Sequence, residues 1–408
     1  MFKLALYWQI LIAIVLGVLY GCFLYDKVWL VAWMGDLFIR LLNMLVIPLI
    51  FCLLVSALAN VEGGKDIGRL GFKTIAFYVV TTLIAILTGL LLVTLVKPGV
   101  GVDIAVTEKL PETLTSMKQQ SFGQLLLDIV PKNVFASLAK GEMLQVVFFA
   151  LLVGGFVCGM AGKEGSILRD FFDASSKLMM NITTFVIQLA PWGVFAMLAA
   201  KIGEFGGSTE RLTTVMHSIG QFFLVVVGGL AFHLFITLSL ILLLYRINPI
   251  KHLKNMFVPM TAAFSTATTN VTIPLSLQAL EEKEGVSNRV ASFTIPLGAT
   301  LNMNGTALYE CVVVMFIAQA YGVELTMAQM FVVTITALLT AMGCAGIPMA
   351  SLVMITVILN AVGLPIEGIG LILVTDRILD MCRTTVNIYG DTCCAVCVAK
   401  TEGETINV

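Results

Sequence analysis

Residues 371–400 read LILVTDRILDMCRTTVNIYGDTCCAVCVAK, an apolar stretch long enough to cross a bilayer as a helix. Five charged residues lie inside it: Asp376, Arg377, Asp380, Arg383 and Asp391. At about 100° per residue, Asp376, Asp380, Arg383, Asn387 and Asp391 fall on a stripe roughly 80° wide. The other face carries mostly Leu, Ile, Val, Met, Cys and Ala. A charge at the bilayer centre costs about 2.5–3.5 kcal/mol on insertion scales, so five facing lipid would cost roughly 15 kcal/mol. The stripe must therefore face protein, water or a ligand. Ion pairing that glues helices together is the simplest use of such a stripe. Three acids, a base and an amide on one buried face exceed what packing needs. The pattern points to a pathway for a charged solute and its coupling ions.

The remaining sequence places this helix in a multi-pass membrane protein. Of 408 residues, 59% are hydrophobic and 12% are charged. Mean hydropathy is +0.99, and a soluble domain would carry about twice that charge. A net charge of −1, with no basic patch, argues against a nucleic-acid partner. Nine Cys and three His form no metal-ligand spacing. Cys393, Cys394 and Cys397 read as small packing residues of the last helix. His217, His233 and His252 are scattered and read as satisfied single side chains. The run from Leu4 to Tyr25 follows Lys3 like a signal peptide. It has no small-residue cleavage site and another long apolar segment follows, so it reads as a first membrane helix.

Apolar segments fall near 4–25, 28–60, 70–96, 121–161, 166–200 and 212–246, each long enough to span the bilayer. Lys3, the group Lys65, Arg69 and Lys73, and the group Arg246, Lys251, His252 and Lys254 would lie on one side, the cytoplasmic one. Residues 97–120 then form an external loop. The segment 121–161 is interrupted by Pro131 and Gly141-Glu142 and reads as several short helices.

After residue 250 the pattern changes. Residues 255–280 contain AFSTATTNVTIP, 288–322 contain GATLNMNGTALYE, and 327–365 contain AMGCAGIPMAS. Each is a polar or Gly/Pro break inside apolar sequence. Non-helical backbone at membrane depth is tolerated only where it is buried in protein or lines a cavity. The first and third segments read as re-entrant hairpins, each followed by a helix bearing polar groups. Such paired interruptions are a pointer to a transporter's binding site.

The breaks carry usable chemistry. The first tip offers Thr266, Thr268, Thr269, Asn270 and Thr272, hydroxyls and amides suited to a carboxylate. The second, Gly343 to Pro348, suits a bent gate with free carbonyls. Between them, Asn302, Met303, Asn304, Gly305 and Thr306 supply amide and backbone oxygens, and Asp391 with Asn387 adds a charge and an amide. Oxygen donors without His or Cys suit Na+ better than a transition metal. Arg383 is the natural fork for a carboxylate, and Asp380, about one turn earlier, can neutralise an ammonium. A solute with two carboxylates and one amine would use all of these groups.

At NMNGTALYE, CAGIP and DRILDMCRTTVNIYGD the chain resembles the dicarboxylate/amino acid:cation symporters, which include the glutamate and aspartate transporters. The resemblance covers nearly the whole chain. It implies an all-α membrane protein of eight transmembrane helices plus two re-entrant helical hairpins, an elevator-type fold with inverted repeats, assembled as a homotrimer. Scaffold helices 1–2 would occupy residues 1–69, and helix 3 of the transport domain 70–97. The external loop and scaffold helices 4–5 would occupy 98–203. The transport domain would be completed by 204–408. By the same resemblance, Asp380 would bind the substrate amine and Arg383 its side-chain carboxylate. Thr306, Thr384, Asn387 and the tip around Thr269 would hold the main-chain part, with Ile347 and Ser351 of the second hairpin. Na+ would bind Asp391, Asn387 and backbone near Gly298 and Asn302 at one site. Thr300 and Met303 with carbonyls of Ala341, Met342 and Cys344 would form another. Tyr78, Thr81, Thr82, Asn302 and Asn304 match a third.

Three departures from the family pattern stand out. Asn304 replaces the motif's Asp and removes a carboxylate from the third cation site. The serine-rich first hairpin is here Thr268-Thr269-Asn270, preceded by Ala267 rather than Arg. Met349 and Ser351 stand where glycines are usual. Glu310, one turn past Thr306 in an apolar segment, matches a Glu of the animal glutamate transporters that serves proton coupling; a Glu hydrogen-bonded in the core is the structural alternative.

The function expected is a secondary active symporter of the cell (inner) membrane, taking up glutamate or aspartate with Na+ and also H+ if Glu310 carries a proton. A C4-dicarboxylate or other amino acid symporter of the same fold is the alternative. A dicarboxylate alone would not need Asp380, and a neutral amino acid would not need Arg383. An intramembrane aspartyl protease using Asp376 or Asp391 is remote, because its two acids must share a proton and these lie along one helix. A pure ion channel would need neither an amine site nor a carboxylate site.

Overall fold

The computed structural model describes residues 6–59, 65–102, 127, 130–203, 209–342 and 350–408. Among these residues the protein is helical and contains no strand. In chain order the helices are α1 (Leu6–Phe23), α2 (Trp29–Ala59), α3 (Lys65–Val96), α4 (Val134–Lys140), α5 (Met143–Gly159), α6 (Gly162–Gln188) and α7 (Ala190–Gly203). Then come α8 (Thr209–Phe232), α9 (Pro249–Asn255), α10 (Phe257–Thr266), α11 (Ile273–Gln278), α12 (Asn288–Leu301), α13 (Asn304–Ala320), α14 (Met327–Ala341), α15 (Ala350–Val362) and α16 (Ile369–Thr401).

The interruptions have local causes. Gly141 takes a left-handed conformation (φ 73°) and ends α4, so the 121–161 segment divides into α4 and α5. The 166–200 segment, expected as one helix, is two: α6 and α7 meet at a 52° bend. Pro191 sits in the first turn of α7, where its missing N–H is harmless, whereas it could not continue α6. α8 runs on through a π turn at His233–Leu238 into Ser239–Leu244. Four helical stretches among the described residues are long and apolar enough to span a membrane, five if the bent pair is one span.

The first two breaks after residue 250 are present as breaks. α10 ends at Ala267, a non-glycine in the left-handed region (φ 51°), and a short 3-10 turn at Asn270–Thr272 leads into α11. α12 stops at Asn302, and α13 restarts at Asn304 after two non-helical residues. α14, opened by a capping box between Thr326 and Gln329, packs against α15. The second tip, with Cys344, Ile347 and Met349, lies outside the described residues, as does most of the expected external loop.

Packing sorts the helices into two groups. α1 lies along α7, and α2 packs on α5, α6 and α7. In the second group α3 packs on α8 and α13, while α16 packs on α8, α10, α12 and α13. Contacts between the groups run mainly from α15 to α2 and α5, and from α16 to α7. α13 and most of α16 are buried on all sides, although α16 is only weakly apolar overall. A segment with that composition is held by its neighbours and not by lipid.

Candidate functional site

The charged stripe of α16 faces inward along its whole length. Asp376, Asp380, Arg383, Asn387 and Asp391 are all buried, and Arg383 is only 1% exposed. Arg383 Nη2 donates to Asp376 Oδ1 (3.1 Å) and to Asp380 Oδ1 (3.0 Å). Tyr309 of α13 donates its hydroxyl to the same Asp376 oxygen (2.7 Å). The guanidinium carbon lies 3.8 Å from the centre of the Tyr309 ring, a cation–π contact in a dry setting. Arg377 reaches Asp380 at 3.7 Å. Two arginines thus offset two aspartates. Arg383 Nε and Nη1 nevertheless find no hydrogen-bond partner among the described residues. Two buried guanidinium donors so placed can take a ligand carboxylate.

One turn on, Asn387 ties α16 to the break between α12 and α13. Its Oδ1 accepts from Gly305 N (2.8 Å) and its Nδ2 donates to Thr306 Oγ1 (3.1 Å). Thr384 donates back to Asp380 O. A further turn on, Asp391 Oδ1 accepts from Asn302 Nδ2 (2.8 Å), while Asp391 Oδ2 and Asn302 Oδ1 have no partner among the described residues. Nor does any described Lys, Arg or His pair with Asp391. A buried carboxylate left so is costly, and oxygen donors around it are what a hard cation takes. Gly298 and Gly390 make room for this arrangement. A Cβ on Gly298 would lie 2.5 Å from Asp391 Oδ1 and 2.6 Å from the Tyr78 hydroxyl, and one on Gly390 would lie 2.6 Å from Asn304 Nδ2.

The structure gathers some expected residues and separates others. Asp380 with Arg383, Asn387 with Thr306, and Asp391 with Asn302, Gly298 and Tyr78 come together. Asn304 Oδ1 accepts from Gly305 N and its Nδ2 is unpartnered among the described residues. Tyr78 donates to Thr294 O, and Thr81 to carbonyls of its own helix, whereas Thr82 Oγ1 is buried without a partner among the described residues. Thr269 is buried and donates to Ala299 O (3.2 Å). Thr300 is exposed and its hydroxyl turns back to Leu297 O. Met303 and Ala341 are buried and Met342 is half-buried, while Ser351 Oγ is buried and unpartnered among the described residues. Glu310 is buried; its Oε2 accepts from Thr340 (3.1 Å) and its Oε1 has no partner among the described residues.

Two histidine expectations need correcting. His233 is buried with neither ring nitrogen bonded among the described residues, so none of them satisfies it. His252 is satisfied but not solitary, because it contacts Glu284 and Thr392. Sequence reasoning also overlooked Tyr309 as a partner of the charged stripe. Its position one turn past Gly305, before Glu310 in a polar break, was the available signal.

A profile of the Sodium:dicarboxylate symporter family matches residues 6–401. The chain is 34% identical, over 98% of its length and 96% of the relative's, to a "Proton/sodium-glutamate symport protein" of Geobacillus stearothermophilus. It is 36% identical to a "Proton/glutamate-aspartate symporter" of Bacillus subtilis (97% and 94% covered). It is 30% identical to a "C4-dicarboxylate transport protein" of Pseudomonas savastanoi (98% and 86% covered). These relatives are transporters, not enzymes, and the side chain paired with Asp391 is the Asn302 amide and not a second acid, so the protease alternative has no support. A matched profile over almost the whole chain and relatives covered end to end lead to one conclusion: the protein belongs to the sodium:dicarboxylate symporter family.

Proposed function

We propose that the protein is a secondary active symporter of the bacterial cell (inner) membrane that takes up glutamate or aspartate with Na+. The observation that carries the substrate reading is Arg383, buried beside Asp380 with Nε and Nη1 unpartnered among the described residues. The guanidinium takes the side-chain carboxylate and Asp380 takes the amine. Thr306, Thr384 and Asn387, with Thr269, Ile347 and Ser351 of the hairpins, hold the main-chain part. A C4-dicarboxylate would leave Asp380 without an amine, which favours the amino acid that two of the relatives' names specify.

Na+ is a co-transported cargo. Asp391 with Asn302, Asn387 and backbone near Gly298 forms its first site, supported by the unpartnered oxygens there. A second draws on Thr300, Met303, Ala341, Met342 and Cys344. A third, at Tyr78, Thr81, Thr82 and Asn302, has an amide at Asn304 where a carboxylate would strengthen it. Glu310 is the residue through which H+ would be coupled. Eight spans and two hairpins divide into a scaffold (residues 1–69 and 98–203) and a transport unit (70–97 and 204–408). The two packing groups support this division, which in a homotrimer moves as an elevator.

The test is radiolabelled L-aspartate uptake into proteoliposomes with Na+ and pH gradients imposed separately. Uptake driven by Na+ alone is expected, with competition by L-glutamate stronger than by succinate. Uptake driven only by an inward proton gradient would move coupling to Glu310. Failure to concentrate aspartate under either gradient would refute the substrate assignment.

A further inference from the structure

A second buried polar cluster lies next to Asp391 on a different side of α16. His252 of α9, Glu284 at the end of the π turn Ala279–Glu284, and Thr392 are each 0% exposed. His252 Nδ1 lies 2.9 Å and 3.0 Å from the two Glu284 oxygens, and its Nε2 lies 3.2 Å from Thr392 Oγ1. Asn255 adds a donor to Glu284 Oε1 (3.1 Å), and the His252 ring rests 5.3 Å from that of Tyr389. The order carboxylate, imidazole, hydroxyl resembles a hydrolytic triad. All three groups are sealed among packed helices, so no substrate reaches them. Their use must be mechanical.

Geometry defines that use. Thr392 is one residue past Asp391, about 100° around the helix. α16 is therefore gripped on two sides at one level: by Asn302 through Asp391, and by His252 through Thr392. His252 and Glu284 belong to the base of the first hairpin, since α9 precedes α10 and the π turn follows α11. Glu284 is fastened in turn, as its carbonyl accepts from Asn407 N (2.7 Å). α16 cannot rotate or slide at Asp391 without breaking the contact at Thr392. We propose that His252 is a positioning residue for cation binding, holding Asp391 in register through Thr392. This rests on the reading of Asp391 as a Na+ ligand.

The experiment compares Thr392→Val, Thr392→Ser and His252→Gln with Asp391→Asn, each titrated with Na+ during aspartate uptake into proteoliposomes. Thr392→Val is expected to raise half-saturating Na+ about three- to tenfold, the equivalent of one net hydrogen bond. His252→Gln should shift it in the same direction. Thr392→Ser, which keeps the hydroxyl, should restore the wild-type value, and aspartate KM at saturating Na+ should stay unchanged in the Thr392 and His252 variants. An unchanged Na+ response in Thr392→Val overturns the proposal, and so does an equal loss of every kinetic parameter, which a merely structural contact would give. If Asp391→Asn itself leaves Na+ dependence intact, the cation reading fails; if only Thr392→Val does, the positioning role fails alone.

Discussion

Arg383 and Asp391 sit about two turns apart on the same buried stripe, yet their surroundings differ. Around Arg383 the charges are matched within the protein: Asp376 and Asp380 meet Arg383, and Arg377 adds to Asp380. Around Asp391 they are not, because among the described residues its partner is a neutral amide and one oxygen is unpaired. A matched cluster is stable without a ligand and can bind a solute that is itself both positive and negative. An unmatched carboxylate is complete only with a cation. On the proposed reading, the lesson is that affinity for a zwitterionic acid and demand for a cation are built into one helix by which residues face each acid.

The largest test of this contrast is Arg383→Ala. Taking one partner from a buried ion pair costs about 3–5 kcal/mol, or more than ~100-fold in binding. Aspartate uptake should fall by that much, and retained uptake would mean that the matched cluster does not bind the solute. Next is Asp391→Asn, which makes the two regions alike in lacking an unmatched charge. Na+ titration of uptake should shift by about tenfold or more, the scale of a charged hydrogen-bonding group. Asn304→Asp acts in the opposite direction by adding a second unmatched carboxylate to the cation region. It should make thermal stability more dependent on Na+ and steepen the Na+ response of uptake. A melting temperature equally sensitive to Na+ in both proteins would exclude Asn304 from cation binding.

Smaller effects test the frame that holds both regions. Ala267→Gly removes a methyl from a left-handed position, a strain of about 1 kcal/mol, and should raise the melting temperature by about 1 °C. Glu402 lies just beyond α16, where Lys73 and Arg69 (each 2.6 Å away) hold its carboxyl below the usual range. A depressed value means that its stabilisation is present above the ordinary glutamate range and is lost as pH falls through the lowered one. Glu402→Gln should lower the melting temperature slightly at neutral pH and not at strongly acid pH. A shift of equal size at both would assign the effect to packing, not charge.

Much of this was legible in the sequence because it rests on periodicity. An 80° stripe of polar groups in an apolar helix dictates its own burial, as all five members bear out. The breaks at Ala267, Asn302 and Gly141 were legible because Gly, Asn and Thr clusters interrupt apolar runs. What escaped depends on contacts between distant segments. Glu284 closes a charged turn, EEKE, that reads as a solvated loop, and nothing local announces that His252 is folded against it. Pro191 was visible, but whether it kinks a helix or starts another is settled by the packing of α7 on α1 and α2.

Gly298 and Gly390 have a consequence for how this protein can evolve. Each is closed by volume, because one added methyl would strike Asp391, Tyr78 or Asn304. Asn302 and Asn304, by contrast, differ from aspartate by a near-isosteric exchange that a single base change supplies. If the proposed cation sites hold, heritable variation in ion coupling is channelled away from the glycines and through the two asparagines, where a lineage can gain or lose a carboxylate with little change in side-chain volume.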